Sequence, residues 1–500
     1  MNRKAVIGLE IHAALNTKTK MFCDSLNDPD EKRPNQNICP ICMGHPGTLP
    51  AINAEAVRKV ILTGLALNCS IAEDTFFERK NYFYPDLPKG YQISQYQKPL
   101  CQEGFLEIES PSTGSGFKRI RITRIHLEED AGRLYHAGDG SLVDYNRAGV
   151  PLMELVTEPD FENGAEVRAF AEEYQMILRY TDASDADMEK GLLRVEVNIS
   201  LTNPDGTYGT KVEIKNLNSI SAAAASVDFE IKRQKEILEK GDKVEAETRG
   251  WDGAKQITFS QRLKEEAHDY RYFPEPDLPP IHISASRLSE DDPFVLDEIK
   301  ARLPELPQQK RERFKKQYEL PDSDIEIFVA DKSLGNYFEH VASELLSFDK
   351  LDHLEKPGEE HRVRLFKLAA NYLITELKKH RITAGSAETK IPPESFADLI
   401  VRIFHKQVSS SGAQTIIEEM FNSGKSPEEI IKEKDLGQVS DTGELESVIT
   451  RVILDNPKAA ADFKAGKEAS LKFLIGMVMR ESKGRANPQV VEVMIRERIK

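Results

Sequence analysis

The sequence predicts an α+β protein, with an antiparallel-sheet domain first and all-helical regions after it. Three observations carry that reading. Four stretches in the first half of the chain alternate apolar and ionisable residues, as strands with one buried and one open face do. Pro274, Pro276, Pro279 and Pro280 then crowd too closely for a helix and mark an edge. Beyond them apolar residues recur at three- and four-residue spacing, the helical period. A chain of 500 residues is too long for one core. The expected divisions are a sheet domain over 1–287, a helical domain over 288–406 and a helical C-terminal domain over 407–500.

In order, strands are expected at Ala5–Leu15, Arg121–Asp130, Pro151–Thr157, Leu192–Leu201 and Lys211–Lys215, with helices at Ala54–Leu67, Ala165–Tyr180 and Ser221–Lys240. Six more helices follow: Leu296–Glu305, Pro307–Tyr318, Asp322–Asp331, Leu334–Phe348, Leu365–His380 and Pro393–His405. Short loops between them predict a bundle. The run from Val408 to Ala413, with three serines and a glycine, reads as a flexible linker. Ser426 and Asp441 read as helix N-caps in the last segment.

Composition narrows the class. The chain is 39% hydrophobic and 30% charged, and no apolar run approaches the ~20 residues that span a bilayer. The N-terminal apolar run stops at Glu10, so a signal peptide is not expected and a cytoplasmic location is. A net charge of −15 argues against non-specific nucleic-acid binding over the whole surface. From Lys458 to Lys500, however, ten Lys and Arg face five Asp and Glu, and Lys483 and Arg485 form a compact basic turn where a polyanion could dock.

The chemistry concentrates on the open strand faces. In Ile122–Tyr135 the apolar Ile125 and Leu127 alternate with His126, Glu128 and Asp130. Glu10 and His12 alternate with Leu9 and Ile11, Arg194 and Glu196 with Val195 and Val197, and Glu213 and Lys215 with Val212 and Ile214. A stable sheet does not require such a face, whereas a divalent cation with phosphate does. Glu154 lies within an almost unbroken apolar run, Pro151–Thr157, so it needs a partner, either an arginine such as Arg147 or a metal. Oxygen donors with an occasional histidine suit Mg²⁺ or Mn²⁺ better than zinc. No Walker-type phosphate loop and no kinase signature are present, so any ATP would rely on carboxylates, metal and bases. Lys80, Lys89, Arg194, Lys215 and Arg249 are the available bases. Cys39-Pro-Ile-Cys42 with Cys23 upstream is three-quarters of a zinc knuckle, with Asp24 or His45 able to complete it, and a set of reduced thiols is the competing reading. The serines at 409–411 near Lys406 make no convincing amidase set.

Longer strings carry a resemblance: Val6–His12, Asn81–Ser94, His126–Gly132, Asp144–Glu154, Glu213–Ser219, Asp269–Asp277 and Lys483–Pro488. Through them the chain resembles the GatB family, the B subunits of the tRNA-dependent amidotransferases. The resemblance implies a carbon–nitrogen ligase. ATP phosphorylates the side-chain carboxylate of Glu-tRNA(Gln) or Asp-tRNA(Asn), and ammonia then displaces phosphate. The ammonia comes from a partner amidase (glutaminase), the A component of a heterotrimer, and a small third component, C, bridges the two. The implied fold is a cradle of antiparallel sheet similar to glutamine synthetase and guanidino kinases, followed by a helical domain and a YqeY-like tail that hold tRNA. Glu10, His12, Glu128, Glu154 and Glu213 fall on the family's motif positions around Mg²⁺, the first four also as catalytic residues. Arg194, Lys215 and Arg249 are the expected ATP-contacting bases, and Lys483 and Arg485 the expected tRNA contacts. Family members with a zinc knuckle carry a second cysteine where this chain has Ser25, which puts zinc in doubt. The competing class is a non-catalytic tRNA-binding scaffold for the amidase.

Overall fold

The alternating stretches come together in one sheet. A computed structural model describes residues 3–110, 116–263, 269–287, 289–351, 359–385, 389–436, 442–482, 486 and 488–499. It divides into two compact units, Met1–Pro307 and Gln308–Lys500.

In chain order the first unit contains strands β1 (Ala5–Ala14), β2 (Ser70–Ile71), β3 (Asp74–Thr75), β4 (Glu78–Asn81), β5 (Tyr91–Ser94), β6 (Cys101–Glu109), β7 (Phe117–Glu129), β8 (Arg133–Ala137) and β9 (Gly140–Asp144). There follow β10 (Pro151–Thr157), β11 (Leu193–Leu201), β12 (Val212–Leu217), β13 (Glu247–Asp252), β14 (Ile257–Leu263), β15 (Phe273–Pro274) and β16 (Ile281–His282). Its helices are α1 (Ala54–Ala66), α2 (Gly164–Tyr180), α3 (Ile220–Glu239) and α4 (Leu296–Lys300). Nine strands form one sheet in the order β14-β13-β12-β11-β1-β10-β7-β6-β2, antiparallel throughout except between β12 and β13.

Ile7, Leu9, Ile11, Ile125, Leu127, Leu155, Val195 and Val197 point to one face and are buried with Val57, Phe170, Tyr174 and Val227 of the helices. Burial of large apolar side chains at about 1.5–3 kcal/mol each holds this layer together. The opposite face is left polar, as the period-two pattern requires. β4 pairs with β5 on one side and with β15 on the other, in a small sheet beside this face.

The second unit is helical: α5 (Pro307–Tyr318), α6 (Asp322–Ala330), α7 (Lys332–Leu351), α8 (Glu359–Tyr372), α9 (Lys378–Ala384), α10 (Pro393–Phe404), α11 (Ser410–Ser423), α12 (Pro427–Lys434), α13 (Thr442–Asp455), α14 (Pro457–Lys464), α15 (Glu468–Glu481) and α16 (Pro488–Arg498). Phe314, Phe328 and Phe338 pack one cluster, and Leu445, Ile449, Leu474, Val478 and Ile495 another. Three expectations change. The linker at Val408–Ala413 is instead the start of α11, with Ser409 Oγ accepting from the Gly412 N–H at 3.2 Å. A serine run before apolar positions is thus a helix cap here. The helix expected over Leu296–Glu305 stops at Lys300, since Pro304 disfavours helical backbone at the residue before it. The helix around Leu365–His380 contains a π-turn, Leu373–Leu377, between α8 and α9. Ser426 caps α12 in a full capping box with Glu429, and Asp441 lies outside the described residues.

Candidate active site

Strand register aligns the ionisable side chains in rows. Arg194, His12, Glu154 and His126 face one another across β11, β1, β10 and β7, and the next row holds Glu196, Glu10, Val156 and Arg124. His12 Nε2 lies 3.3 Å from Glu154 Oε2, 3.7 Å from Glu128 Oε1 and 3.8 Å from Glu10 Oε1. His126 Nε2 lies 3.5 Å from the same Glu154 oxygen and 3.7 Å from Glu128 Oε2. Two donor groups result, Glu10–His12–Glu154 and His126–Glu128–Glu154, each with its ligand atoms within 4.8 Å of one another. Glu154 belongs to both. Ser94 Oγ donates to Glu128 at 3.2 Å.

Carboxylates and imidazoles here set one another's protonation. Burial, and then the charge of Glu154, push the Glu10 carboxyl above its usual range. Burial works against the His12 imidazolium, but the hydrogen bond to Glu154 and the charges of Glu154 and Glu128 outweigh it and hold the ring up to about 9. Burial likewise opposes ionisation of Glu154 and Glu128, and the neighbouring imidazoles reverse it, so both stay below the carboxylate range. A divalent cation among these oxygen and imidazole donors would relieve the crowding, and the donor set fits Mg²⁺ or Mn²⁺.

These groups floor a cleft of about 580 Å³ lined by Glu10, Glu128, Glu154, Glu213, Lys215 and Lys80, together with Arg124, Tyr96, Tyr270 and Tyr272. Glu213 lies on the cleft wall, accepting from Thr248 at 3.2 Å and paired with Lys215 at 3.3 Å, and is in neither donor group. Lys215 also reaches Glu196 at 2.8 Å. Arg194 stands beside His12 and bonds Asp130 at 3.0 Å. Arg249 is buried between Glu247, Glu230 and Thr258 and is not among the cleft's lining residues. Arg147 is not the partner of Glu154: it pairs with Asp130, at the end of β7, and Glu154 faces imidazoles instead. Lys483 and Arg485 lie outside the described residues.

Sequence reasoning passed over His126 as a ligand, although the Glu–His alternation of β7 signalled it. It also left out Arg124 and the tyrosines of 270–272, for which distant segments had to meet.

The Sγ atoms of Cys23, Cys39 and Cys42 lie within 4.8 Å of one another, and all five cysteines are unbridged. Neither Asp24 nor His45 joins that group. Ser25 Oγ is 3.9 Å from Cys42 Sγ, and the buried Lys20 ammonium is 3.8 Å from it. Three thiols with a hydroxyl and an ammonium do not fit a closed four-ligand zinc site.

A helix-backed sheet whose open face gathers carboxylates, imidazoles and bases, with no phosphate loop, defines a class of sheet-based sites built for a cation and an anionic substrate. Comparison with known proteins narrows the class. The sequence model of the GatB/GatE catalytic domain matches residues 5–289, and that of the GatB domain matches 356–499. A protein of Caldanaerobacter subterraneus subsp. tengcongensis is 46% identical over 100% of both chains. One of Carboxydothermus hydrogenoformans is 46% identical over 99% of this chain and 98% of its own. One of Thermotoga maritima is 44% identical over 99% of each. Each is named as the B subunit of an aspartyl/glutamyl-tRNA(Asn/Gln) amidotransferase. The chain belongs to the GatB family, and it is an enzyme component of the carbon–nitrogen ligase class, the B subunit of a tRNA-dependent amidotransferase.

Proposed function

We propose that the cleft uses ATP to activate the side-chain carboxylate of Glu-tRNA(Gln), Asp-tRNA(Asn) or both, and then exchanges phosphate for ammonia. A carboxylate oxygen attacks the γ-phosphorus, the bond to ADP breaks, and an acyl phosphate forms. The ammonia lone pair then attacks the acyl carbon, phosphate departs, and the nitrogen gives up a proton to leave the amide. Without the first step the leaving group would be oxide, too poor for the second.

The reading rests on the two donor groups that share Glu154 on the floor of a cleft that also presents cations. Glu10, His12, Glu128 and Glu154 would hold Mg²⁺ with His126, and Glu213 stands nearby. When bound, Mg²⁺ supplies positive charge for phosphate oxygens. Arg194 and Lys215 add positive charge on the sheet side. Arg249, engaged in the Glu230–Glu247–Thr258 network, supports the strand next to Glu213.

The remaining parts of the proposal follow the family resemblance of the sequence. Ammonia arrives from a glutamine-hydrolysing amidase partner, a small third partner bridges the heterotrimer, and tRNA is held by the helical regions 288–406 and 407–500, with Lys483 and Arg485 among the contacts. The region 1–287 is the catalytic cradle, of the kind in glutamine synthetase and guanidino kinases, and the tail is YqeY-like. The cytoplasm is the proposed location, and among the described residues no helix is long and apolar enough to cross a membrane.

The test compares wild type with Glu128→Gln, each assembled with the amidase and the small bridging partner. Both aminoacyl-tRNAs are supplied separately with ATP, Mg²⁺ and ammonium chloride. Amide formation is expected to fall by about 100-fold or more, the scale of losing one transition-state charge contact, while basal glutamine hydrolysis persists. Unchanged amidation would remove catalysis from this floor and favour a protein that only holds tRNA and docks the amidase.

A further inference from the structure

Most basic side chains around the cleft are already spoken for. Lys215 is paired with Glu196 and Glu213, and Arg194 with Asp130. Lys80 and Arg124 differ. Among the described residues neither makes an ion pair or a side-chain hydrogen bond, and the buried Arg124 Nε has no partner. Each rests instead on a tyrosine: Lys80 Nζ is 5.0 Å from the centre of the Tyr270 ring, and Arg124 Cζ is 5.3 Å from that of Tyr96.

The rings join into one arch. Tyr96 stacks on Tyr272 at 4.6 Å and 12°, and Tyr270 meets Tyr272 edge-on at 6.1 Å. The Asn81 side chain ties down the segment by donating to the carbonyls of Tyr270 at 3.2 Å and Arg271 at 2.9 Å. Both cations and all three tyrosines line the cleft with Glu128 and Glu154.

A ring face attracts a cation but accepts none of its N–H donors in the plane where carboxylates do. Such a seat orients a lysine or arginine and leaves its charge and donors for a ligand. A carboxylate partner would have consumed both.

We infer that Lys80 and Arg124 are the phosphoryl-contacting pair of the cleft, held ready by the arch of Tyr96, Tyr270 and Tyr272, and that they bind the outer phosphate oxygens of a nucleoside triphosphate. The inference rests on the ATP-dependent reading above. The pair supplies what the arginine and lysine of carboxylate-rich phosphotransfer sites must supply: positive charge beside the cation-binding donors, so that the transferred group is neutralised by side chains as well as by the cation. Tyr96 and Tyr270 are positioning residues.

The experiment titrates the full chain, in Mg²⁺, with ATP and separately with AMP, for wild type, Lys80→Gln and Arg124→Gln. Each variant should bind ATP about 10- to 100-fold more weakly, the scale of one charge-assisted hydrogen bond, with AMP affinity unchanged. Tyr96→Leu should weaken ATP binding, and Tyr96→Phe, which keeps the ring, should restore it. ATP bound equally by wild type and both glutamine variants would overturn the pair while leaving the function intact. A wild-type chain that binds no ATP would instead overturn the function itself. Should a glutamine variant fail to fold, lysine acylation of the wild type reads the same contact. ATP, and not AMP, should shield Lys80, and equal labelling under both conditions overturns the inference.

Discussion

A carboxylate in the apolar run of β10 would cost several kcal/mol if left alone, and Glu154 avoids this by facing two imidazoles at 3.3 and 3.5 Å. The need for a partner was readable from Pro151–Thr157. Which partner was not, because sequence proximity favoured Arg147 and that guanidinium turns to Asp130. Two-residue alternation similarly reveals that Glu10 and His12 share a face but says nothing of the strand beside them. The cysteines show the same limit. Spacing identified Cys23, Cys39 and Cys42 and noted Ser25, yet only the fold places the Lys20 ammonium among them. A prediction follows at Ser25, whose Oγ already lies 3.9 Å from Cys42 Sγ. Ser25→Cys supplies the fourth thiolate of a closed tetrahedral site. The variant, purified in zinc and dialysed against chelator, should retain about one zinc per chain by elemental analysis, clearly more than wild type. Equal zinc in both proteins would mean that three thiols suffice or that the fourth position is out of reach.

At the scale of elements, the alternating strands β1, β7, β11 and β12 were legible because a half-buried strand writes its two faces into the sequence, and β10 was legible as a short apolar run. The short β4 and β5 were not, since strands of four residues carry too little pattern, and the tyrosine arch depends on them. Helix contacts set tolerances of their own. A Cβ on Gly164, the first residue of α2, would sit 2.3 Å from the Ala224 carbonyl oxygen of α3. Gly164→Ala should therefore push two packed helices apart and lower stability by about 1–3 kcal/mol, measured by urea unfolding. Unchanged stability would show that the α2 terminus shifts freely. In the second unit, Glu339 of α7 meets Lys310 at 3.1 Å and Arg313 of α5. Burial raises its carboxyl, but the bonds to Arg313 and Lys310 outweigh that and hold it below the ordinary 4.5. A depressed folded value means the contribution is complete above pH 4.5 and fades as pH falls through the folded value. Glu339→Gln should cost about 1–3 kcal/mol at neutral pH, with the gap to wild type closing in acid. A gap that persisted below that window would assign the effect to packing rather than charge.

For the whole molecule, the proline-dense stretch ending at Pro280 announced where strand pattern gives way to helix pattern. Composition alone does not say where a core ends, because a short helix can belong to either neighbour. Phe294 and Ile299 are buried in the same cluster as Ile7, Phe170 and Val227, Leu303 and Leu306 pack against it, and Val295 is buried as well. The first compact unit accordingly extends to Pro307. A chain ending at Pro307 keeps these side chains, whereas one ending at 287 loses them and exposes the surface they covered. Removing three buried apolar side chains of this size forfeits about 1.5–3 kcal/mol each in transfer free energy alone, comparable with the whole stability of many domains. The fragment 1–307 is therefore expected to unfold cooperatively and to bind Mg²⁺ with the affinity of the full chain, since both donor groups lie within it. The fragment 1–287 should melt well below it or fail to fold. Calorimetry on the two fragments decides the matter: equal transition temperatures would mean that α4 only decorates the core, and failure of both to fold would mean that the sheet depends on Gln308–Lys500 for its stability.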